Sequence, residues 1–494
     1  MARQNSDRPR HFVQRSIWVG LVLAMCCGTK SHAENPPNIL FIMTDQQHAG
    51  MMSCTGNRWL QTPAMDRLAR SGMRFELAYS PNPVCVPSRT SMMTGLFPST
   101  LGFESNGDAQ SARIPESVLQ HTMGRLLRQA GYDTVFGGKT HWARGLNRGT
   151  CGFDNLTRND REELADACVD FLRQEHTKPF LLVASFINPH DICYVEIDAT
   201  IKRYELPPFA PGARVEREKI AQAVRLAEQA KRQGNFDELC PPLIENHGIT
   251  EDEPQAITVR PTRRPPPGEK QARHVYYYMP DYVRQEWTED DWRMHHWIYH
   301  RLTEDVDRQI DVVLKALQET GLDKNTIVIF TSDHGDMDGA HKRVHKSYFY
   351  DESARVPFII AGPGVQSGVD REHLISSSLD LIPTICDFAG VDIPTGLAGE
   401  SIRSLALGRP VPNWRKAVYS ENGRGRMVRT ARYKYNLYKQ GTPRDMLIDM
   451  ANDPGEMKNL AVDAKYAEVI AEHRQLIRDH VQGHGDAIFR KYVD

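Results

Sequence analysis

The sequence predicts an α/β fold: a large, mainly parallel sheet sandwiched by helices, with a smaller C-terminal α+β subdomain carrying an antiparallel sheet. Three observations lead there. Short, continuous apolar runs recur along the chain, stretches of helical period separate them, and past about Pro383 the pattern shortens and begins to alternate. A strand covered on both faces reads as an unbroken apolar run, whereas a strand with one wet face alternates. With 494 residues, 40% of them hydrophobic, the chain can bury a large core.

The first 33 residues read as an address. Arg3, Arg8, Arg10 and Arg15 precede an apolar run from Ile17 to Cys27, and Ser31-His32-Ala33 supplies small residues for cleavage, the pattern of a secretory signal. That run is short for a bilayer, so no stable membrane span is expected after signal cleavage. An exported protein, periplasmic or secreted, is the expectation.

Four apolar runs end in polar or ionisable residues. Asn38–Thr44 runs into Asp45-Gln46, and Thr134–Phe136 runs through Gly137-Gly138 into Lys139 and His141. Phe180–Phe186 leads to His190, and Thr326–Phe330 leads to Asp333-His334. In parallel sheets ligands bind beyond the carboxyl ends of the strands. Four strand ends would therefore bring two carboxylates, an amide, three imidazoles and an ammonium to one edge.

Helices fill the intervals. Thr62-Pro63 opens a periodic stretch with Met65, Leu68 and Ala69, and Trp297 to Leu317 sets Ile298, Leu302, Val306, Ile310, Val313 and Leu317 near one face. Between Pro189 and Trp287 the pattern loosens into a charged helix from about Glu216 to Arg232 and a Pro- and Arg-rich tract, Arg260 to Pro267, read as an insertion over the site. Beyond Pro383, Tyr433-Lys434-Tyr435-Asn436-Leu437-Tyr438 alternates as an antiparallel strand does. The expected division is a signal over 1–33, a main domain over 34–382 with an insertion at about 190–287, and a C-terminal subdomain over 383–494.

Charge and cysteine content exclude some classes. Lys and Arg total 61 against 63 for Asp and Glu, a net charge of -2, which offers no general attraction to nucleic acid or an anionic membrane. Nine cysteines, of which Cys26 and Cys27 fall in the leader, show neither a disulfide framework nor a zinc spacing.

One cysteine stands apart. In Cys85-Val86-Pro87-Ser88-Arg89-Thr90-Ser91-Met92-Met93-Thr94-Gly95, Pro87 suits a first helical turn, so Cys85 falls at or just before a helix N-terminus. Unpaired N–H groups and the dipole favour an anion there, and Arg89 can turn back onto it. A lone cysteine would read as a buried structural thiol; the surrounding residues argue otherwise.

The chain here resembles the formylglycine-dependent sulfatases, whose signature is Cys, any residue, Pro or Ala, any residue, Arg, followed shortly by Thr-Gly. Cys85, Pro87, Arg89, Thr94 and Gly95 match without a gap, and four blocks agree in order: Asn38 to Gln46, Gly138 to His141, Ser185 to His190 and Ser332 to Lys346. The run Asp449 to Leu460 resembles the family's closing motif, so the likeness extends from Pro37 to about Leu460.

The resemblance implies a fold of the alkaline-phosphatase-like superfamily and hydrolysis of a sulfate ester. It assigns Asp45, Gln46, Asp333 and His334, with the side chain at 85, to one divalent cation, usually calcium; a second Asp and an Asn are commoner where Gln46 and His334 stand. Mostly oxygen ligands suit that ion. Lys139 and Lys346 would hold sulfate oxygens, His190 would protonate the leaving alcohol, His141 would take a proton from the hydrated formylglycine at 85, and Arg89 would orient that hydrate. A formylglycine-generating maturation enzyme is the implied partner. Within the superfamily a phosphoesterase or phosphonate monoester hydrolase is the alternative, and outside it an inactive glycan-binding relative.

For the substrate, Arg260, Arg263, Arg264 and Lys270, with Tyr276, Tyr277, Tyr278, Trp287 and Trp292, read either as a cleft for a sulfated sugar or as a solvated basic loop beside packing aromatics. His295, His296, His300, His341 and His345 read as structural.

Overall fold

A computed structural model describes residues 36–210, 213–258, 264–266 and 268–493. The leader assigned to 1–33 lies outside them, as do Arg260 and Arg263. Among the described residues no helix is long and apolar enough to cross a membrane.

Eight strands form the main sheet: β1 (Asn38–Asp45), β2 (Gly72–Phe75), β3 (Asp133–Gly138), β4 (Asp154–Asn155), β5 (Phe180–Pro189), β6 (Thr326–Ser332), β7 (Phe358–Ala361) and β8 (Gly368–Asp370). Their order is β4-β3-β5-β1-β6-β7-β2-β8. β7 runs antiparallel to both neighbours and the remaining pairs are parallel. The four strands with polar ends are adjacent, in the order β3-β5-β1-β6. Register aligns those ends, with Gly138 opposite Ser185 and Thr44 opposite Ser332.

The unbroken apolar runs arise because both faces are covered. In β1, Ile39, Phe41 and Met43 point into one core with Leu181, Val183, Ile327 and Ile329. Leu40 and Ile42 point into the opposite core with Leu182, Val328 and Phe330. Helices α1 (Pro63–Ser71), α2 (Cys85–Thr94) and α3 (Leu164–Leu172) begin the covering layers. The stretch from about 190 to 287, read above as an insertion, holds α4 (Cys193–Tyr204), α5 (Arg214–Gln233) and α6 (Val275–Glu286), and the long α7 (Glu289–Glu319) follows it. Helix α7 starts on a capping box: Thr288 Oγ1 accepts from the Asp291 amide at 3.3 Å, and Asp291 Oδ2 accepts from the Thr288 amide at 2.8 Å. Its C-terminal half lays Val306, Ile310, Val313 and Leu317 on the sheet, each worth about 1.5–3 kcal/mol of burial. Its N-terminal half packs Trp292, Trp297, Ile298 and Leu302 against the insertion helices. One helix thus joins the insertion to the sheet.

Helix α8 (Leu381–Ala389) packs Leu381, Ile382 and Ile385 into the first core. A four-stranded antiparallel sheet follows, β9 (Ala417–Asn422), β10 (Gly425–Thr430), β11 (Tyr433–Tyr438) and β12 (Asp445–Asp449), backed by α9 (Ala467–Gly483). Tyr435 and Leu437 pack with Ile477 and Val481 of α9. The polar positions of the same strand do not face solvent. Lys434 is fully buried, and its Nζ lies 2.6 Å from Asp351 and 2.7 Å from Glu456.

Arg426 on β10 is also buried, with its guanidinium 2.7 Å from Glu104 and 2.7 Å from Asp486. It ties the segment after α2 to the C-terminal sheet. Removing one member of a buried ionic cluster strands the others, so Arg426→Leu is expected to cost about 3–5 kcal/mol. The measurement is the urea midpoint, and an unshifted midpoint would mean that Glu104 and Asp486 find other partners.

Candidate active site

The site is assembled at the carboxyl ends of the four adjacent strands. Asp45 closes β1, and Gln46 follows with φ of 70°, a left-handed backbone rare for a residue with a side chain. The turn is held from two sides: the Gln46 amide donates to Asp333 Oδ1 at 3.1 Å, and the Tyr299 hydroxyl donates to the Gln46 carbonyl. Beyond β6, the Asp333 carbonyl accepts from Ser80 at 2.8 Å and from Ser88 at 2.6 Å. At the end of β3, Gly138 has φ of 92°, and a Cβ there would lie 1.9 Å from the Ser185 carbonyl. Only glycine lets β3 close on β5 at that point, and this sets Lys139 over the site.

Helix α2 begins at Cys85 and every one of its residues is buried. The Cys85 Sγ lies 3.1 Å from His334 Nε2 and 3.9 Å from Asp45 Oδ1. Arg89, one turn later, donates Nε to Asp333 Oδ2 at 2.6 Å, Nη2 to Asp45 Oδ2 at 2.8 Å, and Nη1 to the Lys139 carbonyl at 2.7 Å and Ser185 Oγ at 2.9 Å. Lys139 Nζ sits 2.7 Å from Asp45 Oδ2, and Lys346 Nζ donates to Gln46 Oε1. Gln46 Nε2 donates to Asp336 Oδ2 at 2.6 Å.

Charge dominates this enclosure. Burial and Asp45 act to raise the Cys85 thiol, but Lys346, Lys139 and His334 outweigh them and hold it well below the ordinary thiol value. Burial likewise opposes ionisation of Asp45, yet Lys139 and Arg89 draw it well below the carboxylate range. Burial and the Asp45 charge push Asp333 up. His190 is pushed down to about 4 by burial, with Lys139 and Lys346 adding to it.

Asp45, Cys85, Asp333 and His334 can each offer one ligand atom, with all four atoms within 4.8 Å of one another. The local bonding suits a cation. His334 Nδ1 donates to the Gly335 carbonyl at 2.8 Å, which fixes the ring with Nε2 turned to Cys85, the orientation a backbone carbonyl gives a ligating histidine. Two of the four offer carboxylate oxygens, which suit a hard divalent ion, while the Gln46 amide oxygen beside them accepts from Lys346.

Above Cys85 opens a cleft of about 720 Å³. His141, with φ of 45°, and His190 line it with Lys346. The insertion supplies one wall through Cys193, Ile197, Tyr276 and Val283, and the C-terminal sheet adds Arg424. Of the insertion residues proposed from sequence to meet a sugar, Tyr276 lines this cleft. Lys270 instead pairs with Glu205 at 3.0 Å on the exposed surface, Tyr278 stacks on Tyr204, and Trp287 packs on Trp292. Arg264 is exposed and does not line the cleft.

Sequence reasoning missed His345 and Arg424. His345 faces the cleft, with Nε2 3.3 Å from the buried Glu196, whose other oxygen lies 3.3 Å from His295. His295 in turn reaches Asp338 at 3.7 Å. From the half-buried His345 the chain runs inward through three buried residues, Glu196, His295 and Asp338. Its only sequence signal was a histidine beside Lys346.

With this geometry in hand, comparison with known proteins is decisive. A family model described as Sulfatase matches residues 37–391, and one described as N-sulphoglucosamine sulphohydrolase, C-terminal, matches residues 339–482. The chain is 32% identical to the Delta 4,5-hexuronate-2-O-sulfatase of Bacteroides thetaiotaomicron, over 94% of this chain and 92% of that protein. It is 27% identical to the N-acetylglucosamine-6-O-sulfatase of the same organism, over 93% and 88%. A solved structure described as a 2-O GAG sulfatase superposes with a TM-score of 0.73 at 29% identity, covering 92% of this chain and 93% of that one. Agreement along nearly the whole length, on a fold that already places these strand ends together, assigns the chain to the formylglycine-dependent sulfatase family of the alkaline-phosphatase-like superfamily.

Proposed function

We propose that this sulfatase is exported and removes a sulfate ester from a sulfated carbohydrate of the glycosaminoglycan class, using a formylglycine made from Cys85 and one divalent cation, calcium. The observation that carries the reading is the place of Cys85: first residue of a buried helix, at the foot of a cleft, with Asp45, Lys139, His334 and Lys346 as its charged surroundings. The named relatives act on sulfated sugars, which supports the substrate class.

Asp45, Gln46, Asp333 and His334 would hold the cation, whose charge would offset that of a crowded anionic transition state. Oxidised to an aldehyde and hydrated, residue 85 presents two hydroxyls on one carbon, so that sulfate can be accepted by one and released through the other; a thiolate would keep it. The chain's own residues do the rest. Lys139 and Lys346 bind the sulfate oxygens from two sides. Arg89, locked by Asp45, Asp333 and the Lys139 carbonyl, fixes the orientation of residue 85.

His190 is neutral in the free site because burial and two lysines disfavour its cation. An anionic sulfate lying between those lysines offsets their charge, so substrate binding itself favours proton uptake by His190, which then delivers the proton to the departing sugar oxygen. His141, at the exposed rim, takes the proton from residue 85 in the release step.

The test combines mass spectrometry of the Cys85 peptide, from a host with a formylglycine-generating enzyme, with sulfate release in calcium. An aldehyde at 85 and preferential cleavage of an aryl sulfate over the matched phosphate are expected. Full activity with an unmodified thiol would refute the chemistry, and preferential phosphate release would favour the phosphoesterase alternative.

A further inference from the structure

Resting on the reading of this cleft as the site of a sulfated sugar, we propose that Arg424 reads a carboxylate on the ring that carries the sulfate, so that the enzyme is selective for a sulfated uronic acid. Arg424 stands on a two-residue turn, since Asn422 pairs with Gly425 across β9 and β10. Asn422 pins that turn: its Oδ1 accepts from the Arg424 amide at 2.8 Å and the Gly425 amide at 3.2 Å, and its Nδ2 donates to the Ser347 carbonyl at 3.1 Å. The Arg424 Nη1 donates to the same carbonyl at 2.7 Å and to Ser347 Oγ at 3.1 Å. Ser347 follows Lys346, so the guanidinium is anchored one residue from the lysine that meets the sulfate.

That anchoring uses one edge of the guanidinium. Nε and Nη2, the side-on pair, donate to no described residue, and among the described residues no carboxylate pairs with Arg424. The contrast is Arg343, which meets the same ring. Both guanidiniums sit over Tyr348, at 5.1 Å for Arg343 and 4.8 Å for Arg424, but Arg343 is neutralised by both Glu253 oxygens at 3.0 Å. The cleft therefore keeps one uncompensated guanidinium, rigidly mounted and stacked on an aromatic ring. Its open edge carries two parallel N–H groups, the geometry that matches a carboxylate bidentately.

The experiment uses the full-length matured enzyme and two substrates that differ in one group: an unsaturated hexuronate 2-sulfate disaccharide, and the same disaccharide with its carboxylate reduced to a hydroxymethyl. Wild-type kcat/KM for sulfate release should favour the carboxylated substrate by about 10- to 150-fold, the range of one charged hydrogen-bonded contact. In Arg424→Gln that ratio should collapse to within about threefold of unity, and Arg424→Lys, which cannot fork, should recover only part of it. A ratio left intact in Arg424→Gln overturns the proposal, as does an equal loss on both substrates. A loss confined to a glucosamine 2-N,6-O-disulfate, run as a third substrate, would overturn the carboxylate in favour of a second sulfate. The underlying reading fails separately and visibly: a wild-type enzyme that cleaves an aryl sulfate but no saccharide would refute it before any variant is made.

Discussion

A Cys85→Ala protein is expected to release sulfate about 10⁴- to 10⁶-fold more slowly than the matured wild type, with its unfolding midpoint almost unchanged. The first half follows from the site. Cys85 sits among Asp45, Lys139, His334 and Lys346, and loss of a covalent nucleophile removes the reaction path rather than trimming it. The second half follows from packing. Helix α2 is held by the core through Met92 and Met93 and by Ser88 on the Asp333 carbonyl, so its position does not depend on the small thiol. Sulfate release by ion chromatography and a denaturation curve test both halves. Retained turnover would remove Cys85 from the chemistry, whereas a large drop in the midpoint would make it a structural residue.

Arg89→Met should lose both activity and stability. Its guanidinium is 1% exposed and lies between the Asp45 and Asp333 carboxylates at 2.8 and 2.6 Å. Without it two buried acids face each other, a deletion that costs about 3–5 kcal/mol. The loss should depend on calcium. If Asp45 and Asp333 hold the ion, the variant presents it with more uncompensated negative charge, so added calcium should raise the variant's melting temperature more than the wild type's, by mass action on the folded state. Equal calcium responses in the two proteins would place the ion elsewhere.

Much of this was legible in the sequence because strand ends carry their own labels. Asp45, Lys139, His190 and Asp333 each follow an apolar run, and the sheet sets those four strands side by side. The neighbours of the cleft were less visible. Arg424 and Ser347 are 77 residues apart, and their contact exists only because a hairpin of the C-terminal sheet docks on the loop after β6. No local period encodes such docking. For the basic residues of the insertion, composition reveals a cationic segment but leaves cleft and solvated loop both open, and Lys270 takes the second course by pairing with Glu205 at the surface. Lys434 shows a third limit. Alternation along β11 does mark an antiparallel strand, yet its polar side meets Asp351 and Glu456 rather than water. An apolar-polar period reports two different faces, and it does not report what covers the second.

The burial of Cys85 also imposes a schedule. Its thiol is 1% exposed and is closed over by His334, which lies 249 residues further along the chain. During synthesis at about 5–20 residues per second, Cys85 therefore emerges roughly 12–50 s before the strand that will seal it. Until β6 arrives, β1 lacks one of its two neighbours and the sheet cannot close. On the proposed chemistry this interval is when a modifying enzyme has access, and folding is its competitor. Slower synthesis between residues 85 and 334 should raise the fraction of active molecules, while a host that finishes the chain faster than it modifies it should accumulate folded protein carrying an unmodified thiol.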